Sequence, residues 1–443
     1  MTLDPVHVDG IARLARRVGE DVDATEHADV AETAWTEFLD PLWGDPADEV
    51  PLLEPLGEHR RRIVPIEDVA LQDRPFPTQH GLDAGTINPT TFRNGLVLDV
   101  SQAAMASVPS SVELHRGRTI VMTVHTNDET QRLGRDADWR MDDGGYARRR
   151  LLQVPRVDRY EQTVVHALAL YLAESSHALE QAPVVDDLLV LDGPVYPTGL
   201  LKWADRDPEL ERLLTNETQP RDVLGNYLAL VETMVEREVP IVGFVKNSAS
   251  KALTQALRGK LGAPWIDDAA FFRQVLERTD GDGGSLERTD GDRGRAAAEE
   301  RVTDALTFTG WFRSRLGTDA LVAPGSRGGR PALDLDRDLA LDPAAYEVTF
   351  FVVYDPRDDL VYRIEAPAAV TEDETVREAL TTQLLSEVAA ERGPPKAVGK
   401  ADGLASIDRQ EKAALRDRIE RAFETERRRD YDEQRWGLFE SVS

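Results

Sequence analysis

The stretch from 78 to 126 decides the fold. It contains TQHGLDAGT (78–86), NGLVLDV (94–100) and RTIVMTVHT (118–126), three short apolar or alternating runs separated by Gly, Asn and Pro signals. Each has the length and period of a strand, and runs this close in sequence pair antiparallel with their neighbours. Downstream the period changes. RYEQTVVHALALYLAESSHAL lies in a long helix over 158–180, DDLLVLDG (186–193) is a strand buried on both faces, 221–237 is a helix, and PIVGFVK (240–246) is a second buried strand. Two apolar strands separated by one helix form a parallel βαβ unit. The order is three antiparallel strands, then helix, strand, helix, strand: a mixed α/β sheet flanked by helices.

The segments around this core are simpler. Residues 9–43 carry Ile11, Leu14, Ala15, Val18, Val30, Ala34, Phe38 and Leu42 at helical spacing, and 44–62 is punctuated by proline. Residues 1–62 therefore read as an N-terminal helical extension, 63–426 as the main domain and 427–443 as a tail. Residues 127–150 read as a polar loop ending in Arg148, Arg149 and Arg150. LERTDGDGGS and LERTDGDRGR (276–295) are a tandem duplication, which makes 278–300 a hydrophilic, low-complexity insertion. A second Gly/Asp/Arg-rich loop covers 318–343. VTFFVVYDP and LVYRIEAP read as a hairpin turning at Pro356–Asp359, and helices are expected over 372–391 and 408–426.

The chain has 443 residues, 81 Asp+Glu against 53 Lys+Arg, and a formal net charge of −28. Its 41% hydrophobic content suits a folded protein and not a disordered one. The absence of cysteine excludes disulfides, Cys-based zinc sites, iron–sulfur clusters and a thiol nucleophile. No apolar run reaches the roughly 18–20 residues of a membrane span, and the polar, acidic start is unlike a signal peptide. The expectation is a soluble, cytoplasmic protein. Lysine is confined to Lys202, Lys246, Lys251, Lys260, Lys396, Lys400 and Lys412; every other fixed cation is Arg. An acidic, lysine-poor surface fits either an acidic binding protein in ordinary cytoplasm or, better, a halophile, where molar salt screens self-repulsion. The charge then describes the solvent and leaves nucleic acid open as a partner.

A β-β-β-α-β-α-β order is that of the ribonuclease H-like fold, in which acids on the first strand, first helix and fourth strand gather two divalent metals. Hard cations take carboxylates, and two of them activate water and stabilise a leaving phosphodiester oxygen. Here Asp83 lies in the first strand, Glu161 opens the long helix on its apolar side, and Asp192 ends the fourth strand before a Gly turn. Taken singly, a strand-end Asp before Gly is usually a turn residue and a Glu at a helix start usually offsets the dipole. Together, at these positions, they point to a metal site. Asp99 is a fourth acid in a β run; it could be a ligand, but reads better as a bulge or strand-end residue. Lys246 ends the fifth strand in a chain that avoids lysine, with Lys251 five residues on; a point cation there suits a phosphate. Arg148, Arg149, Arg150, Arg156 and Arg159 adjoin the site and are candidates to track a nucleic-acid backbone. No Walker A or Gly-x-Ser-x-Gly motif is present. His80 falls on the opposite strand face from Asp83.

The series Asp83-x-Gly85, Asp158–Glu161, VLDGP, VGFVKNSASK, the VTFFVVYDP and LVYRIEAP pair and GPPKAVGKADGLASI (393–407) resembles the NurA family of DNA double-strand break repair nucleases, over about 60–425. The resemblance implies a ribonuclease H-like core and Mn²⁺-dependent (or Mg²⁺-dependent) single-strand 5′→3′ exonuclease and endonuclease activity. It also implies a homodimer, resected DNA ends as substrate and a HerA-type hexameric ATPase as partner. On it, Asp83, Asp192 and Glu161 bind metal. The family carries a Tyr and, eight residues later, a His near its C-terminal end; here those positions are Pro394 and Asp402, and the last His is His177. Asp402 either replaces the imidazole as an oxygen ligand or is a loop residue. Two other readings stay open: a non-catalytic subunit that docks the translocase, and an RNA-directed metal phosphoesterase.

Overall fold

The computed structural model describes residues 4–21, 24–45, 48–126, 139–154, 162–197, 218–246, 248, 250–278, 301–319 and 338–428. The chain divides into two compact units. One comprises 1–66, 247–317 and 351–363; the other comprises 67–246, 318–350 and 364–443. The N-terminal helices thus group with two later segments of the chain.

Thirteen strands are described, in chain order: β1 Leu53–Pro55, β2 Arg61–Pro65, β3 Gln79–Thr91, β4 Val97–Val108, β5 Arg118–His125, β6 Arg140–Asp142, β7 Ala147–Val154, β8 Leu188–Leu191, β9 Ile241–Val245, β10 Ala305–Thr309, β11 Phe312–Ser314, β12 Val348–Asp355 and β13 Leu360–Pro367. In the first unit β2 pairs with β10 and β1 with β11, both antiparallel. Its helical pattern over 9–43 resolves into two helices, Pro5–Asp21 and Ala24–Phe38. Trp35 stacks on His59 at 4.2 Å within its core.

The second unit holds the sheet order β9-β8-β3-β4-β5-β7-β6. β3, β4 and β5 pair antiparallel in sequence, and β8 and β9 add parallel to β3. That is the order expected from 78–126 and the βαβ unit. β8 is buried at all four positions, as its unbroken LLVL run requires. β4 is sandwiched. Thr119, paired with Ala103, meets His177 of the helix Gln162–Gln181 on one face. The neighbouring Gln102 donates to the Ala405 carbonyl of the helix Lys396–Ala405 on the other. That second helix lies so close over β3 that a Cβ at Gly81 would collide with the backbone of Ala397 and Val398, and one at Gly85 with the carbonyl of Ala405.

Two expectations need correction. The polar loop placed over 127–150 contains β6 and β7, and β7 pairs with β5 residue for residue from Arg118↔Ala147 to His125↔Val154. The three arginines hid the strand, because their stems and ion pairs let a charged sequence form a ladder. Residues 127–138 and the duplication from 279 to 300 lie outside the described residues. Asp99 is not a strand end, but it does lie at a bulge, facing Asn88 and Pro89 where the β3–β4 register shifts. It sits within β4, 1% exposed, accepting from His125 at 3.1 Å with His166 at 3.7 Å. Burial alone would raise its pKa; donors from His125, His166 and Thr123 outweigh it and hold the carboxyl below the usual range.

Among the described residues no helix is long and apolar enough to cross a membrane.

Candidate metal centre

β3 and β8 run parallel with Leu82 opposite Leu191, and the Asp192 N–H donates to the Leu82 carbonyl at 3.0 Å. Asp83 and Asp192 therefore stand side by side on neighbouring strands. Asp83 is only 9% exposed. Burial, the charge of Asp192 and a side-chain hydrogen bond with Asp402 together push its pKa up to about 7, against one backbone donor from Ala84. Asp402 reaches it from the helix Lys396–Ala405, the same helix that packs over Gly81 and Gly85. The sequence marks no element over 393–407, because Gly399 and Gly403 weaken its helical signal. Asp402 is thus a helix residue aimed at Asp83 rather than a loop Asp.

A fourth carboxylate was not found from the sequence. Glu174, in the helix Gln162–Gln181, is 7% exposed and accepts from the Tyr227 hydroxyl at 3.0 Å. Burial first, then the charges of Asp83 and Asp192, raise its pKa to about 8. In sequence it follows the apolar run Ala167–Ala173, and Leu172, Ala173, Ser175, Ser176, His177 and Ala178 around it are all buried. An acid with no exposed side of its helix is not a solvent adaptation. The expected helix acid, Glu161, lies outside the described residues, as do Arg156 and Arg159.

Lys246 ends its strand with Nζ 2.7 Å from Asp192 Oδ2, so the lysine chosen from the sequence does stand at the carboxylates. Lys251 is exposed and belongs to the other unit. The arginines separate. Arg148 is built into the fold, donating to Thr119 Oγ1 at 3.0 Å, to Glu180 at 2.8 Å and to the Ser176 carbonyl, under the Trp139 ring. Arg149 faces the other way and pairs with Asp142 at 2.7 Å while staying exposed. Arg150 lies 5.9 Å from the Trp139 centroid. His80 is buried against the Asp186 carbonyl, which fits its expected place away from Asp83.

The donor set suits a hard divalent cation. The strain of ionising Asp83 and Glu174, which burial and neighbouring charge push toward their neutral forms, is what such an ion would relieve. Among the described residues no trio of His, Asp or Glu already stands at coordination geometry. Lys246 pairs with Asp192, and the Tyr227 hydroxyl donates to Glu174.

The raised pKa values fix a sign. Asp83 and Glu174 favour their neutral forms in the fold, so their contribution to metal-free stability is full below about pH 4 and is lost as pH rises through about 7 to about 8. In EDTA, the melting temperature of the wild type is expected to fall over that range relative to a double variant carrying Asp83→Asn and Glu174→Gln. Mn²⁺ at about pH 8 should restore it. Parallel profiles for the two proteins would contradict the assignment.

No curated protein sequence matches the chain. Several solved structures are similar to it. The NurA nuclease from Sulfolobus solfataricus is 12% identical, with 95% of this chain and 98% of that one covered and a TM-score of 0.45. NurA bound to dAMP and manganese is 10% identical, with 82% and 90% covered and a TM-score of 0.38. NurA with manganese is 9% identical, with 79% and 94% covered and a TM-score of 0.36. The assignment rests instead on the NurA domain, which matches residues 77–407, a span that takes in Asp83, Glu174, Asp192, Lys246 and Asp402. With three quarters of its length inside that match, the chain belongs to the NurA family.

Proposed function

We propose that the chain is a divalent-metal-dependent deoxyribonuclease with a ribonuclease H-like core. It acts on single-stranded DNA as a 5′→3′ exonuclease and endonuclease, at resected ends, as a homodimer working with a HerA-type ATPase. The observation that carries the reading is the packing of Asp83 against Asp192 and Asp402, with Glu174 buried behind them. Asp83, Asp192, Asp402 and Glu174 would hold Mn²⁺ or Mg²⁺. The bound ions supply an activated water and charge neutralisation at the phosphodiester. The chain's own groups do the rest. Tyr227 fixes the Glu174 carboxylate, burial excludes water from Asp83, and Lys246 sets Asp192 and offers a cation to the scissile phosphate.

The test is cleavage of labelled single-stranded DNA, duplex DNA and RNA with Mn²⁺ or Mg²⁺, in low and molar KCl. Single-stranded DNA should be cut by wild type and spared by Asp83→Asn. Preferential loss of RNA would favour the phosphoesterase reading. The non-catalytic reading draws on the absent C-terminal His. Wild type that cuts nothing yet binds the translocase would establish it.

Lys246 also makes a prediction. Its ammonium occupies one oxygen of Asp192. Lys246→Met should tighten Mn²⁺ binding severalfold by calorimetry while slowing cleavage about 10- to 100-fold, since a charged group facing the phosphate is lost. Weaker Mn²⁺ binding would show that Lys246 orders the carboxylates instead.

A further inference from the structure

We propose that the sheet face carrying Asp83 continues into a groove that seats a single nucleic-acid strand. The proposal rests on the nuclease reading and specifies where the substrate lies. The ladder register sets one row of residues on one face: Gly85, Gln102, Ile120, Arg149 and Arg140, across β3, β4, β5, β7 and β6. Gly85 shares that face with Asp83, two residues away. From β3 to β7 is three strand spacings, about 14 Å. Beyond the end of the helix that carries Asp402, this face floors a cavity of about 860 Å³.

The lining of the cavity is unlike the rest of the molecule. Acids outnumber fixed cations by 81 to 53 in the chain, yet the charged residues of this cavity are four arginines and one glutamate, Glu411. Its floor is apolar, with Ile120, Met122 and Leu151. Arg118 is half-buried and bonds only the carbonyls of His115 and Gly117; burial lowers its pKa, and among the described residues no carboxylate pairs with it. Arg149 is 61% exposed in its pair with Asp142, so exchanging that carboxylate for a phosphate costs little. Cations above an apolar floor match a polyanion whose bases are free to face protein. Single strands have this chemistry; a duplex hides its bases inside the stack. The acid excess elsewhere in the chain repels a phosphate backbone, and the arginines draw it to this groove.

The experiment measures binding of fluorescein-labelled oligo-dT by anisotropy, in EDTA, across a KCl series. EDTA removes cleavage, so binding is read alone. Replacing both Arg140 and Arg149 by Ala should reduce the slope of log affinity against log salt by about 1.4, at about 0.7 per phosphate contact. Affinity at moderate salt should drop about tenfold or more. Met122→Glu, which places a like charge on the floor, should weaken binding at least as much with an unchanged melting temperature. Unaltered slope and affinity in both proteins would overturn the groove. An equal loss on duplex DNA of the same length would overturn its preference for single strands. If wild type binds through this face but never cleaves, only the nuclease reading fails. If it cleaves while the variants bind normally, only the groove fails.

Discussion

Replacing Asp83 by Asn removes cleavage and stabilises the metal-free protein. Both effects follow from one environment. The Asp83 carboxyl is buried between Asp192 and Asp402, and its pKa of about 7 records the cost of ionising it there. A nearly isosteric amide has no charge to bury, so the melting temperature in EDTA at about pH 8 should rise. On the proposed reading, the same change removes an oxygen donor to the metal. Loss of the metal's position should lower the rate by at least three orders of magnitude, about 4 kcal/mol in the barrier. Mn²⁺ titration should show weakened or absent binding. Opposite signs in stability and activity distinguish a functional carboxylate from a structural one. Cleavage retained within about tenfold of wild type would remove Asp83 from the centre.

Adding one methyl group at Gly85 should have the largest effect on the fold around the site. Its Cβ would meet the Ala405 carbonyl, which belongs to backbone and has no rotamer to turn aside. The helix Lys396–Ala405 must then lift. Overpacking of this kind costs about 3 kcal/mol, on the order of 10 °C in melting temperature for a unit of this size. Asp402 rides on the same helix, so Mn²⁺ affinity should fall with stability. Gly399→Ala is the control: nothing lies within 4 Å of its added Cβ, and it sits inside the same helix. It should be neutral or slightly stabilising. Equal melting temperatures for the Gly85 and Gly399 variants would show that the helix is free to shift.

Much of the core was legible because its physics is local. Period-two runs bounded by Gly and Asn marked β3, β4 and β5, and unbroken apolar runs marked β8 and β9. Asp83 and Asp192 were legible because each interrupts such a run. Glu174 was overlooked because a helix start is the natural place for a reaching acid, and the apolar run before Glu174 reads as core. β7 was overlooked because Arg148–Arg150 read as solvent-facing. Only the placement of Thr119, Ser176 and Glu180 shows why Arg148 is buried. Asp402 stood out only as a substitution in a family pattern. Nothing in its own neighbours revealed that the helix beneath it lies against two glycines.

That helix also has a bearing on biosynthesis. Asp402 leaves the ribosome long after Asp83, Glu174 and Asp192, and the strand face it covers stays open until then. On the proposed reading, a nascent chain holding only the first three carboxylates lacks both the fourth oxygen donor and the lid that buries them. Cleavage is then withheld until residues 396–405 have been made. A truncated product, ending before 396, would be released as an inert protein rather than as an unguarded nuclease.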